Sequence, residues 1–206
     1  MEVRWRGNHG RMIESLDPLP TLEAWRDEAR AAGVAEPDAM LLATATPDGL
    51  PSARVVYLRG FSPDGSLRFF TNYESRKARE LQDNPRAAAV LYWAELSKQV
   101  RIEGAVARLP PAASDEYFQS RARLSQLGAW VSPQSRPIAS LEELIALRSE
   151  RDAALAGAAV PRPPFWGGFG LLPDRFEFWK RGEGRFHDRR LFERRSGTWT
   201  MTRLAP

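Results

Sequence analysis

Two Pro-Asp-Gly turns do most to restrict what this chain can become. Pro47-Asp48-Gly49 separates two runs of strand-like alternation, residues 40–46 and 52–59, and Ser62-Pro63-Asp64-Gly65 leads into a third at 67–71. Proline presets the first corner of such a turn, aspartate bonds back to the chain, and glycine accepts the positive φ that closes it. Further short runs of strand character follow at 87–93, 99–109, 169–172, 175–180, 185–193 and 199–203. Helical signals are fewer. Thr21 can cap a helix to about Ala32, with Gly33 as its stop and Leu22, Trp25 and Ala29 as its apolar stripe. Ser75 can cap a short helix ending before Asn84-Pro85, and helices fit 112–123 and 140–156. Many short antiparallel strands with a few interposed helices predict an α+β, mainly β protein built as a closed barrel with peripheral helices. No glycine-rich strand-to-helix fingerprint of a dinucleotide fold occurs. Residues 1–15 lack periodicity and read as a mobile arm; residues 16–206 read as a single domain.

Composition narrows the function classes. The 206 residues include no cysteine and only two histidines, which excludes disulfides and thiolate metal sites and argues against a protein-built metal centre. No apolar run reaches membrane-spanning length, and no signal peptide opens the chain, so a cytoplasmic location with no membrane partner is expected. The net charge is +4, but the arginines are scattered among acids except between Arg185 and Arg195. That distribution favours a small phosphorylated ligand over a nucleic acid.

Three segments carry chemistry. Phe176-Glu177-Phe178-Trp179 and Arg185-Phe186-His187-Asp188-Arg189 read as two strands joined by a turn at Gly182-Glu183-Gly184. Period-two alternation then puts Arg185, His187 and Arg189 on one face, either as an anion site or as a cationic edge that repels self-association. Ser75-Arg76-Lys77 opens a helix, where free N–H groups and two cations can cradle a phosphate; an ordinary solvated pair is the alternative. Tyr117, Arg121 and Ser125, spaced i, i+4 and i+8, line one helix face if that helix continues. They suit a phosphate monoester, or else form a surface arginine beside a half-buried tyrosine.

The chain resembles the pyridoxamine 5'-phosphate oxidase family. The C-terminal pattern Glu-aromatic-Trp followed by Arg-x-His-Asp-Arg carries the likeness, and ordered segments upstream extend it: Glu36-Pro37-Asp38-Ala39-Met40, Thr71-Asn72-Tyr73-Glu74-Ser75-Arg76-Lys77-Ala78, Gln99-Val100-Arg101-Ile102-Glu103-Gly104, Ser125-Gln126-Leu127-Gly128-Ala129-Trp130, and Pro163-Pro164-Phe165-Trp166-Gly167-Gly168. The resemblance implies an FMN-binding split β-barrel, homodimeric, with FMN at the subunit interface. It implies that Arg54, Val55, Val56, Tyr57, Leu58 and Arg59 run along the flavin, with Phe70 and Thr71 beside it. Arg76 and Lys77 would grip the FMN phosphate, and Gln99, Gln134, Ser135, Trp179 and Arg189 would complete the cofactor contacts. Arg59, Tyr117, Arg121 and Ser125 would hold the substrate's phosphate, with Arg185 and His187 as catalytic groups over its pyridine ring and no metal involved. The implied reaction is oxidation of pyridoxamine and pyridoxine 5'-phosphates by O2. A phenazine-type flavin oxidase and a non-catalytic flavin or pyridoxal-phosphate carrier are the alternatives. The sequence departs from the family pattern at Arg59, where lysine is usual, and at Ala122, Gly170, Lys180, Arg181 and Phe186.

Overall fold

The computed structural model describes residues 16–206, so the arm expected at residues 1–15 lies outside the described residues. In chain order the elements are α1 (Leu19–Ala31), β1 (Ala39–Ala45), β2 (Pro51–Tyr57), β3 (Leu67–Asn72), α2 (Arg76–Asp83), β4 (Arg86–Trp93), β5 (Lys98–Arg108), α3 (Pro111–Gln119), α4 (Arg123–Val131), α5 (Leu141–Leu155), β6 (Trp166–Lys180), β7 (Asp188–Arg195) and β8 (Thr198–Arg203).

The strands form one antiparallel sheet in the order β2-β1-β4-β5-β6-β7-β8, with β3 also paired to β6. The 15-residue β6 divides the sheet. Its first half pairs with β3 from Trp166 to Leu171, and its second half pairs with β7 from Arg175 to Lys180. Beyond β3, Arg59 N–H donates to the Arg68 carbonyl at 2.7 Å and Arg68 N–H to the Gly60 carbonyl at 3.0 Å. These bonds join β3 back to β2 and close a six-stranded barrel, leaving β7 and β8 as a flap on its side. Both Pro-Asp-Gly turns form as read: Gly49 N–H bonds to the Thr46 carbonyl, and Gly65 N–H to the Ser62 carbonyl.

Alternation fills the barrel. Met40, Leu42, Leu58, Leu67, Phe69, Leu91, Val100, Ile102 and Leu171 point inward and are buried. Trp25 of α1 packs edge-on against Phe178 at 5.1 Å, which fastens that helix over one end of the core. A second apolar cluster lies outside the barrel: Phe118, Leu127, Val160 and Trp166, with Phe70 and Tyr117 against it. No helix among the described residues is long and apolar enough to cross a membrane.

Four expectations are corrected. The strands read at 169–172 and 175–180 are one strand, because Pro173 falls at a bulge opposite Gly104, where its missing N–H costs no ladder bond. A side chain at Gly104 would collide with the Leu172 carbonyl. Thr21 lies buried inside α1 and caps nothing; Pro18 holds the cap position, and prolines suit a helix's first turn. The helix read at 112–123 breaks after Gln119: Ser120 Oγ donates back to the Tyr117 carbonyl at 2.8 Å, Ala122 adopts extended backbone, and α4 begins at Arg123. Finally, the returning strand starts at Asp188. Arg185 closes a 3-10 turn, Glu183–Arg185, at φ +68°. Arg185 therefore does not share a strand face with His187 and Arg189.

Candidate active site

The first site grows from the junction of β3 and α2. Lys77, in the first turn of α2, is buried. Its Nζ donates to Thr71 Oγ1 at 3.1 Å, Ser75 Oγ at 3.4 Å and Gln134 Oε1 at 3.0 Å. All three acceptors are neutral, so the ammonium has hydrogen bonds but no directly bonded counter-charge. Burial, and then the charge of Arg54, push its pKa down to about 8 against the opposing pull of Glu80. Gln134 and Ser135 reach the site from the loop after α4. Gln134 Oε1 also accepts from Thr71 Oγ1 at 2.9 Å, and Ser135 Oγ accepts from Arg76 N–H at 3.2 Å. Ser75 holds the cap position of α2 without a side-chain cap bond; its hydroxyl serves Lys77 instead.

Behind this cradle stands Glu80, a carboxylate that the sequence reading missed. Arg76 Nε donates to its Oε1 at 2.8 Å, and Ser52 Oγ donates to its Oε2 at 2.6 Å. Thr44 bonds the same oxygen, and Arg54 Nη2 approaches it at 3.4 Å. Burial alone would raise the Glu80 pKa, but the bonds from Ser52, Thr44 and Arg76 outweigh it and bring it down to about 2. The i, i+4 spacing of Arg76 and Glu80 was the available signal.

The second site adjoins the first through Gln134. A cavity of about 290 Å3 is lined by Asn72, Arg121, Ser125, Ser132, Gln134 and Trp166, among others. Arg121 sits in the break between α3 and α4, its guanidinium 4.6 Å above the Trp166 ring. Its Nη1 is buried with no hydrogen-bond partner. Burial lowers its pKa, as does the charge of Arg59, with Tyr117 opposing. Tyr117 stacks on Phe70 with ring centroids 3.9 Å apart. Tyr117, Arg121 and Ser125 thus meet by way of a helix break, not along a continuous helix face.

The expected β2 contacts divide by face. Val56 and Leu58 are buried in the barrel, so only their backbone is available to a ligand, whereas Val55, Tyr57 and Arg59 face outward. The outer face continues across the sheet: Val55 opposes Leu41, Leu41 opposes Val90, Tyr92 opposes Gln99, Gln99 opposes Trp179, and Trp179 opposes Arg189. Residues directly opposite share a face, so Gln99, Trp179 and Arg189 form one row next to an apolar patch. Glu177, also missed as a functional group, orders that row. Its Oε1 accepts from Arg189 Nε at 2.8 Å and its Oε2 from Arg101 Nη1 at 3.1 Å. The Glu177 bond raises the Arg189 pKa.

His187 lies beside this row, its ring 4.8 Å from that of Trp179. Its Nδ1 accepts from Gly182 N–H at 3.2 Å, which requires Nδ1 to be unprotonated. Arg185 is exposed, with no side-chain hydrogen bond or ion pair among the described residues. Likewise, among the described residues, no hydrogen bond, ion pair or ring contact joins Arg185 or His187 to the cradle or to the Arg121 cavity.

The fold is thus a split antiparallel barrel with two adjoining cationic sites, one at Lys77 and one at Arg121, joined through Gln134. The model of the pyridoxamine 5'-phosphate oxidase family matches residues 26–151, and that of the pyridoxine 5'-phosphate oxidase C-terminal dimerisation region matches residues 166–206. A pyridoxine/pyridoxamine 5'-phosphate oxidase of Rubrobacter xylanophilus is 51% identical over 190 residues, covering 92% of this chain and 87% of the relative. Another, from Myxococcus xanthus, is 48% identical over 196 residues and 95% of each chain. Among solved structures, PhzG from Burkholderia lata 383 in complex with tetrahydrophenazine-1-carboxylic acid superposes with a TM-score of 0.89 at 35% identity over 94% of both chains. An FMN-binding, pyridoxamine 5'-phosphate oxidase-related protein of Nostoc punctiforme shares the fold, with a TM-score of 0.77 at 22% identity over 93% of this chain and all of that one. The chain belongs to the pyridoxamine 5'-phosphate oxidase family and is an FMN-dependent oxidoreductase.

Proposed function

We propose that this enzyme oxidises pyridoxamine 5'-phosphate and pyridoxine 5'-phosphate to pyridoxal 5'-phosphate. The alcohol and O2 give the aldehyde and H2O2; the amine, O2 and water give the aldehyde, H2O2 and ammonia. The observation that carries this reading is a pair of separate anion sites joined by one side chain. Lys77 is buried among neutral acceptors, Arg121 Nη1 is buried without one, and Gln134 lines both places. One site fits the phosphate of a cofactor and the other the phosphate of a substrate, held side by side.

In this reading Lys77, Arg76 and Arg54 hold the FMN phosphate, and Gln99, Gln134 and Ser135 meet the flavin's polar edge and ribityl hydroxyls. Phe70, Thr71, Trp179, Arg189 and the 54–59 strand complete the cofactor contacts. FMN supplies two-electron redox chemistry between the substrate carbon and O2 that no side chain can supply. Arg121, Tyr117, Ser125 and Arg59 bind the substrate's phosphate and orient the reacting carbon. Arg185 supplies positive charge near the ring, and His187, with Nδ1 committed to Gly182, presents Nε2 as its remaining polar group.

The protein works as a homodimer in this account. The outer face holding Leu41, Val55, Tyr57 and Tyr92 is apolar and exposed, and it adjoins the row of Gln99, Trp179 and Arg189. In the proposed dimer this face would pair with its copy and the row of one chain would join the cradle of the other. The location proposed is the cytoplasm, on the absence of cysteine and of any apolar segment of spanning length.

A phenazine-type substrate is the second reading, favoured by the likeness to PhzG. The free guanidinium edge of Arg121 supports the phosphorylated substrate. Steady-state oxygen uptake with each pyridoxyl phosphate, with unphosphorylated pyridoxine and with a dihydrophenazine carboxylate separates the two. Turnover confined to the last would overturn the proposal.

A further inference from the structure

Glu80 is only 4% exposed, yet its bonds reach three elements. Thr44 of β1 and Ser52 of β2 donate to Oε2, Arg54 of β2 approaches the same oxygen, and Arg76 of α2 occupies Oε1. Arg54 is further tied down. Its Nη1 donates to Thr44 Oγ1 at 2.6 Å and to the Leu42 carbonyl at 3.2 Å, and its Nη2 bonds Ser52. Two guanidiniums that would repel one another and wander in solvent converge on one carboxylate from two elements. A buried carboxylate is costly unless each oxygen is bonded; here both oxygens are.

At first sight a carboxylate behind an anion site is counterproductive, because it repels the incoming phosphate. Two effects oppose that repulsion. The carboxylate offsets the mutual repulsion of Arg54, Arg76 and Lys77 before any ligand arrives, and it leaves the group at a net charge of +2, the complement of a phosphate dianion. It also fixes both arginines in place, so their ordering is not charged against ligand binding. On the reading that this cradle takes the FMN phosphate, we propose that Glu80 is its positioning residue: the carboxylate holds Arg54 and Arg76 from behind and sets the charge that the phosphate meets.

The test is titration of apoprotein with FMN, followed by flavin fluorescence, across about pH 6 to about pH 9.5. The charged groups acting on Lys77 are Arg54 from β2 and Glu80 from α2; β3 and the 134 loop contribute neutral Thr71 and Gln134. Wild-type affinity should fall as pH rises past about 8, where Lys77 loses its proton. Glu80→Gln removes the one charge that favours the ammonium. Its alkaline midpoint should therefore move down by about half a unit or more, and its affinity at neutral pH should drop roughly fivefold or more. Glu80→Asp keeps the charge and loses the reach, so its midpoint should stay while its affinity drops. Should Glu80→Gln fail to fold, unchanged affinity in Glu80→Asp overturns the proposal. A Glu80→Gln protein with wild-type affinity and midpoint also overturns it, even if melting shows lower stability, provided Arg76→Ala/Lys77→Ala loses FMN. If that double variant binds FMN like the wild type, the cradle reading itself falls and the role of Glu80 falls with it.

Discussion

The α2 cradle and the β6–β7 connection carry comparable chemistry in opposite states of order. In the cradle every cation is braced before a ligand arrives: Lys77 by three acceptors, and Arg54 and Arg76 by Glu80. At the connection Arg185 is exposed at positive φ, Phe186 beside it is 80% exposed, and the His187 ring has, among the described residues, a single hydrogen bond, from Gly182 N–H, beside the Trp179 ring. Bracing suits a resident cofactor, because preorganised donors bind without further ordering cost. An open turn suits a surface that is finished by something else. In the proposed dimer a second copy of the chain would supply that: the adjoining outer face is apolar, and the match to a dimerisation region spans this part of the sequence. On the proposed reading, the cradle would be one half of a shared site and the connection the half that joins a partner's cradle.

The contrast can be broken first at the cradle. Arg76→Ala/Lys77→Ala should weaken FMN binding by roughly a hundredfold or more, since charge-assisted bonds contribute about 1.5–3 kcal/mol each. Protein that stays yellow through exhaustive dialysis would remove the phosphate assignment. Next comes the open turn. Arg185→Leu should slow anaerobic flavin reduction at saturating substrate by about 10- to 100-fold while FMN stays bound, because charge developing in the transition state loses its cation. His187→Ala should slow it less, since Nδ1 is already spent on Gly182. Unchanged reduction in the Arg185 variant would reduce this turn to a binding edge.

Arg121→Ala sharpens the distinction between the two anion sites. Substrate KM should rise about tenfold with FMN content unaltered, and unphosphorylated pyridoxine should lose little further activity. Equal proportional losses for both substrates would make Arg121 structural. The smallest expected signal is the most direct on sharing. If each site takes its cradle from one chain and its turn from the other, mixing the cradle and Arg185 variants puts one intact site in half of the dimers. Activity should recover to about a quarter of wild type. No recovery on mixing, after subunit exchange is verified, would place both halves of the site within one chain.

Much of this was legible in the sequence, for reasons that individual residues make plain. The Pro-Asp-Gly turns announce themselves because their geometry is local, and Gly33, at φ +73°, stops α1 as read. The Thr71 to Lys77 segment gives its cradle because strand end, cap and cations are contiguous. Arg121 was placed by the wrong construction: the helix was read straight through Ser120-Arg121-Ala122, yet the break that overturns it still brings Arg121 and Ser125 into one cavity. Arg185 was misplaced because period-two reasoning cannot see the bonds among Gly182, Glu183, Phe186 and His187 that close a tight turn there. Glu80 and Glu177 went unread because, apart from the local Arg76–Glu80 pair, their function depends on Arg54, Arg101 and Arg189 folding onto them from other strands. That is long-range information.

The central claim is a flavin site whose second anion pocket admits a phosphorylated pyridine beside the cofactor. Its most direct test is the visible spectrum of the purified yellow protein under strict anaerobiosis, before and after addition of pyridoxamine 5'-phosphate. The account predicts that the flavin absorption bleaches on mixing and returns when air is admitted, with one H2O2 formed per flavin reoxidised. A spectrum that stays oxidised with both pyridoxamine and pyridoxine 5'-phosphates, in protein shown to bind them, would contradict it.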